Sequence, residues 1–183
     1  MIDELLAEAK TKMDLAIEHT VGEFATVRTG RANPGLLSRI TVEYYGTQTS
    51  LQQIAGFSVP EPRMLLVQPY DKTAINAIEK AIMKADLGLN PSNDGNIIRL
   101  IFPQLTEERR RELIRVVRQL AEDGRIAVRN VRRHTKDDIE ALEGDVSEDD
   151  VHRAEKTLQE MTDTHVIRID ELLEKKEAEL LEV

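Results

Sequence analysis

Arginine presents a planar fork that matches the oxygens of a phosphate, and it keeps its charge at any physiological pH. This chain sets Arg111, Arg115, Arg118, Arg125, Arg129, Arg132, Arg133 and Lys136 within one short stretch. At about 100° per helical residue these side chains project within about 60° of one direction. The apolar residues of the same stretch are Leu113, Val116, Val117, Leu120, Ala127, Val128 and Val131. They centre about 160 to 200° away, so the spacing predicts one helix with a core face and a cationic stripe opposite. Residues 106–136 hold 10 basic and 5 acidic residues, whereas the whole chain has 25 against 34. A positive ridge on an acidic body is the footprint of a polyanion site. The plainer reading is a solvated face whose charges pair with neighbouring acidic residues, with Glu122 in reach of Arg115, Arg118 or Arg125. Near-exclusive use of arginine favours phosphate.

Other chemistries find little support. With no cysteine, thiol catalysis, thiolate metal sites and disulfides are all excluded. None of His19, His134, His152 and His165 has a second ligand at metal spacing, and His165 falls on an apolar stripe where a packed role is expected. Asp145, Glu148, Asp149 and Asp150 resemble a calcium loop in composition but not in spacing. No glycine-rich phosphate loop occurs, and no carboxylate pair stands apart for acid–base work. Aromatics make up 3% of the chain and tryptophan is absent, leaving little to stack against bases. The residues therefore point to a non-enzymatic protein without cofactor or metal. The N-terminus is acidic and amphipathic, unlike a signal peptide, and no run reaches membrane-spanning length, so a cytoplasmic protein is expected.

The elements that must position the stripe follow from periodicity. Residues 2–28 repeat Ile2, Leu5, Leu6, Ala9, Met13, Ala16, Ile17, Phe24 and Val27 at helical spacing, with a stop near Gly30. Ile40, Val42 and Tyr44 alternate as a strand before a turn at Tyr45-Gly46-Thr47, and further strands are expected at 54–59, 63–67 and 97–102. A helix fits 72–87 with Asp71 as N-cap, followed by a loop at Asn90 to Gly95. Thr106 caps a helix of about 38 residues in which Gly124 is a soft point costing about 1 kcal/mol against alanine. Gly144 ends it, and Ser147 with Asp150 opens a third helix along Val151, Ala154, Leu158, Met161, His165, Ile169, Leu172 and Leu180.

Three stripes of this kind predict an α+β protein: an elongated antiparallel three-helix bundle of residues 1–30 and 105–183, carrying an inserted small β/α/β domain at 31–104. The two connections, at 29–35 and 101–105, form a hinge in which Gly30 and Gly35 supply freedom while Pro34 and Pro103 confine it, giving a bent two-domain shape. Net charge runs −3 over residues 1–30, +1 over 31–105, +5 over 106–136 and −12 over 137–183. Arg28 and Arg31 flank the first connection, where alone they would read as a basic helix end.

Several blocks in order carry a family resemblance: Arg28-Thr29-Gly30-Arg31-Ala32, Val42-Glu43-Tyr44-Tyr45-Gly46-Thr47, Glu79-Lys80-Ala81-Ile82, Asp86-Leu87-Gly88-Leu89-Asn90-Pro91, Leu105-Thr106-Glu107-Glu108-Arg109-Arg110 and Val128-Arg129-Asn130-Val131-Arg132-Arg133. With these the chain resembles, end to end, the bacterial ribosome recycling factor family. The resemblance implies a factor that works after termination with elongation factor G and GTP to split the ribosome and release it from messenger RNA. It further implies that the bundle lies on large-subunit ribosomal RNA, with Arg28, Arg31, Arg110, Arg129, Arg132 and Arg133 as RNA contacts. The β/α domain would meet elongation factor G, which owns the GTPase chemistry. A monomer without membrane association completes the expectation. The acidic stretch Glu140 to Asp145 departs from the family's usual helix junction and receives no RNA contact.

Overall fold

The computed structural model describes residues 1–182. The chain opens with α1 (Ile2–Thr26), followed by a 3-10 turn (Pro34–Leu37), the strands β1 (Thr41–Tyr44) and β2 (Thr47–Ser50), and a one-turn helix α2 (Leu51–Ile54). Next come β3 (Ala55–Glu61), β4 (Met64–Pro69), a second 3-10 turn (Lys72–Ala74), α3 (Ile75–Lys84), β5 (Pro91–Asn93) and β6 (Ile98–Ile101). Two long helices, α4 (Glu107–Glu140) and α5 (Glu148–Leu181), end the sequence of elements. Two compact units result: Met1–Phe24 with Ile114–Ala178, and Ala25–Leu113 with the residues from Glu179.

The first unit is a three-helix bundle. Thr20 of α1 meets Gly124 of α4, and Lys12 senses the charge of Asp138, so these helices run in opposite directions. Asp14 reaches His165 of α5, while Leu6 shares a cavity wall with Ala154, so α1 and α5 run the same way. Thr106 caps α4 by accepting from the Arg109 N–H at 3.1 Å, as its side-chain chemistry predicts. Ser147 accepts from the Asp150 N–H at 3.2 Å and donates to the Asp150 carboxylate at 2.7 Å, which starts α5. Helix α4 is 34 residues long rather than about 38, because Leu142 and Glu143 donate to carbonyls three residues back and tighten the last turn.

The buried row of α4 is Leu113, Val117, Ala121, Gly124, Val128, Thr135 and Ile139. It centres about 110° from the cationic stripe rather than opposite to it. Val116, expected in the core, is 47% exposed. A helix touching two neighbours buries the arc that faces both, and that arc lies closer to the arginines than the apolar residues alone suggest. His165 is packed, as expected, with Nδ1 2.7 Å from the Met161 carbonyl and Nε2 2.8 Å from Asp14. Thr162 and Lys176 also lie buried along α5, although the apolar pattern passes over them.

The second unit contains the sheet. Strands β1 and β2 pair antiparallel, and β3, β4, β6 and β5 form a four-stranded antiparallel sheet in that order. Alternation works on its central strands: Leu65, Val67, Ile98 and Leu100 are buried against Ile75, Ile78 and Ile82 of α3. Strands β2 and β5 were not expected, since Thr47–Ser50 has no apolar residue and Pro91–Asn93 carries turn formers. The β1–β2 turn holds Tyr45 at φ 50° and Gly46 at φ 77°, the mirror-image turn that suits strand twist. Asp71 starts the second 3-10 turn by accepting from Thr73, as predicted for an N-cap. The same carboxylate accepts from the hydroxyls of Tyr44 at 3.0 Å and Tyr45 at 3.2 Å. These bonds, those from Thr73 foremost, hold its pKa below the usual carboxylate range. The helix expected over 72–87 begins with that 3-10 turn and stops at Lys84, where Asp86 takes φ 50°.

Gly124 sits where α4 packs against Thr20 of α1. A Cβ there would stand 2.4 Å from the Thr20 hydroxyl oxygen and 3.3 Å from Ile169 Cδ1. Gly124→Ala should therefore lower stability by about 1–2 kcal/mol despite the better helix former, because the clash outweighs propensity. Chemical denaturation of Thr20→Ala/Gly124→Ala should recover most of that loss; recovery of nothing would place the strain elsewhere. Asp14 gives a pH test. Hydrogen bonds from Lys10 first and His165 second hold its carboxyl below the usual range, so the fold favours the charged form. That contribution is complete above the ordinary carboxylate pKa and vanishes as pH falls through the lowered one. Asp14→Asn should flatten the acid limb of thermal stability between about pH 5 and pH 2.

Candidate nucleic-acid interface

Along α4 the cations divide by what they touch. Arg125 is the most enclosed, its side chain 18% exposed, with the guanidinium 2.7 Å from Asp170 of α5 and 3.0 Å from Glu122. Burial pushes its pKa down, but those two carboxylates outweigh it and leave the pKa raised. Arg118 pairs with Glu177, and Lys136 reaches Glu140 at 3.1 Å and Glu155 at 3.5 Å. Arg118, Arg125 and Lys136 thus staple α4 to α5, the arrangement that the plainer reading of the stripe described. Glu122 does pair within the stripe, with Arg125 and with Arg129 at 3.4 Å.

Arg111 pairs with Glu107 one turn back on α4, whereas Arg129, Arg132 and Arg133 are less committed. Arg132 donates to the Gln159 amide oxygen at 3.1 Å, and Arg133 to the Asn130 amide oxygen at 3.3 Å. Both acceptors are neutral, so neither guanidinium charge is cancelled. Arg129 is 53% exposed and has one partner at the long end of the range. Arg129 and Arg132 line a groove with Gln159, Thr162 and Asp163 of α5. Arg132 and Gln159 also line a second hollow, with Lys136, His152, Glu155 and Lys156. Sequence reasoning missed the α5 contributors; His152 and Lys156, one helical turn apart, stand among several basic residues of that helix, with Arg153, Arg168, Lys175 and Lys176, so the pair carries no distinct signal. A groove with arginine forks on one wall and no aromatic ring suits a sugar–phosphate backbone rather than bases.

Arg28, Arg31 and Arg110 belong to the second unit. Arg28 donates to the Pro103 carbonyl at 3.2 Å, which ties the end of α1 to the β6–α4 connection. Its Nη1 stands 3.2 Å from where a Cβ on Gly88 would lie, at φ 68°, so the missing side chain at Gly88 makes room for it. Burial first, and the nearby charge of Arg109 second, pull the Arg28 pKa down. Arg31 pairs with Glu182 at 2.8 Å, and Arg110 lies in the first turn of α4. Of the connection residues, Gly35 donates to the Asn33 side chain at 2.9 Å within the Pro34–Leu37 turn, while Gly30 has open space around it.

This division generates a stability contrast within one helix. Arg125→Ala should cost about 1–2 kcal/mol, since it removes charge-assisted bonds from a mostly enclosed site. Arg129→Ala and Arg133→Ala should stay within about 0.5 kcal/mol. Urea denaturation of the three variants checks the order, and equal losses would mean that no cation is set aside from folding.

Comparison with known proteins agrees with the geometry. The sequence model of the ribosome recycling factor family matches residues 20–181. The ribosome-recycling factor of Thermobifida fusca is 57% identical over 185 aligned positions, and that of Acidothermus cellulolyticus 55%, with all of both chains covered in each case. A solution structure of the ribosome recycling factor superposes with a TM-score of 0.82 at 44% identity, covering 100% of this chain and 98% of the other. A second solved structure has a TM-score of 0.72 at 48% identity over the whole of both chains. It presents models for the T. thermophilus ribosome recycling factor and the E. coli elongation factor G bound to the E. coli post-termination complex. A bundle with arginines set apart from its folding contacts, a small sheet unit beside it in the sequence, and a match along the whole length together make this chain a member of the ribosome recycling factor family.

Proposed function

We propose that this chain recycles ribosomes after termination: with elongation factor G and GTP, it splits the post-termination ribosome and frees it from messenger RNA. The observation that carries this reading is the full-length match to ribosome-recycling factors at 57% and 55% identity. The similar factor from T. thermophilus, bound with elongation factor G to a post-termination complex, supplies the partners. In this reading the bundle lies on large-subunit RNA through Arg129, Arg132 and Arg133, with Arg28, Arg31 and Arg110 as contacts at the other unit. The neutral partners of Arg132 and Arg133 support it, because phosphate oxygens can replace amide oxygens without breaking an ion pair. The sheet unit meets elongation factor G, and residues 29–35 and 101–105 act as the hinge, with Gly30, Pro34, Gly35 and Pro103 at its bonds. The chain performs no chemistry of its own, since GTP hydrolysis belongs to the partner. It works as a monomer in the cytoplasm; no helix among the described residues is long and apolar enough to cross a membrane.

Splitting of post-termination complexes, read by sedimentation, tests the whole reading. The chain should yield free subunits only when elongation factor G and GTP are both present, and no splitting with a competent partner would overturn the assignment. Arg132→Ala should weaken binding to large subunits and reduce the slope of log affinity against log salt by up to about one unit, the share of one phosphate. An unchanged slope would remove Arg132 from the interface.

A further inference from the structure

Within the second unit, three arginines from distant parts of the sequence line one cavity of about 360 Å³. Arg31 follows α1, Arg63 sits in the turn between β3 and β4, and Arg110 belongs to the first turn of α4. Among the described lining residues Glu182 is the one carboxylate, and it pairs with Arg31 at 2.8 Å. Arg110 Nε is buried with no hydrogen-bond partner, and among the described residues neither Arg63 nor Arg110 makes an ion pair. Among the described lining residues, three positive charges face one negative charge and leave an unmet demand for anion. A buried guanidinium N–H without an acceptor is a donor waiting for one.

The form of the demand identifies the ligand. Guanidinium forks suit tetrahedral oxyanions, and three of them can share the oxygens of one phosphodiester. No aromatic ring lines the cavity, so there is nothing to stack a base and nothing to select a free nucleotide over a backbone phosphate. The Glu182 carboxylate occupies the Arg31 fork through one oxygen at 2.8 Å, the place a phosphate oxygen would take. We propose that Arg31, Arg63 and Arg110 form a single phosphodiester subsite for structured RNA, and that Glu182 holds it as an internal placeholder which the RNA phosphate displaces. This rests on the ribosomal reading above for the identity of the RNA. It adds Arg63, from the sheet unit, as a ligand and Glu182 as a built-in competitor.

Two measurements on the full chain separate the subsite from that reading. In binding to large ribosomal subunits across a salt series, Arg63→Ala should weaken affinity and reduce the salt slope by up to about one unit. Glu182→Gln should tighten binding by about two- to fivefold, the worth of one exposed ion pair, and Arg31→Ala/Glu182→Gln should lose that gain. Wild-type affinity and slope in both Arg63→Ala and Glu182→Gln, while Arg129→Ala still weakens binding, would overturn the subsite and leave the ribosomal reading standing. The second measurement titrates inorganic phosphate and follows the side-chain Nε–H resonances by NMR. Arg110 Nε should shift, and at lower phosphate in Glu182→Gln than in the parent. If the parent failed to bind subunits at all, the ribosomal reading would fall and this titration would decide the subsite, with no shift at Arg110 counting against it.

Discussion

Helix α4 has to divide one circumference between two packing partners and a charged stripe that faces solvent. A helix in a two-helix contact needs only a narrow apolar stripe, but in a three-helix bundle the buried arc widens until it borders the charged face. In α4 that border is drawn by Gly124, where α1 leaves no room for a Cβ, and by Ala121 and Val128 around it. With α1 so close, α5 takes the adjoining arc, which is the edge of the arginine stripe. The acidic character of α5 then has a physical purpose: Asp170, Glu177 and Glu155 receive the cations that the packing draws into the seam. Cations committed to the seam and cations left to neutral amides sit on the same helix. What separates them is the partner each meets: a carboxylate of α5 for Arg118, Arg125 and Lys136, a neutral amide for Arg132 and Arg133.

The sheet unit solves a different problem with the same economy. Its four-stranded sheet buries one face against α3, while its hairpin is held by Val42 in the same core and by one carboxylate at the turn. Asp71 begins the approach to α3 and at the same time fixes both tyrosines of the β1–β2 turn, so one residue couples the helix entry to the hairpin end. Tyr45 stays 81% exposed even though its hydroxyl is anchored, and its left-handed backbone is held in place by contacts from a different element.

What could be read in advance depended on whether a local pattern carried the interaction. The long helices and the central strands were legible because their apolar periods are the packing itself. Thr106, Ser147 and Asp71 were legible as caps because the relevant bonds span only two or three residues. Strand β2 was not, since Thr47–Ser50 pairs through backbone atoms and buries no apolar stripe, and β5 was hidden by a proline tolerated beside a single neighbour. The candidate interface was legible as a stripe, and the family resemblance picked out Arg129, Arg132 and Arg133 from within it. Which arginines were already spoken for could not be read, because the partners of Arg118 and Arg125 lie 59 and 45 residues away. The Arg28 contact with Pro103 spans 75 residues and leaves no local mark at either end.

The amide acceptors of Arg132 and Arg133 also bear on speed. A cation held by a carboxylate must surrender an attraction of long range before it can turn to a new anion, and that surrender adds to the barrier to binding. A cation resting on Gln159 or Asn130 exchanges one short-range bond for another while its field stays open to solvent throughout the approach. Capture can then be steered from a distance, and release returns the side chain to a waiting acceptor instead of leaving it bare. A surface built in this way suits repeated brief visits to its target better than a single long stay.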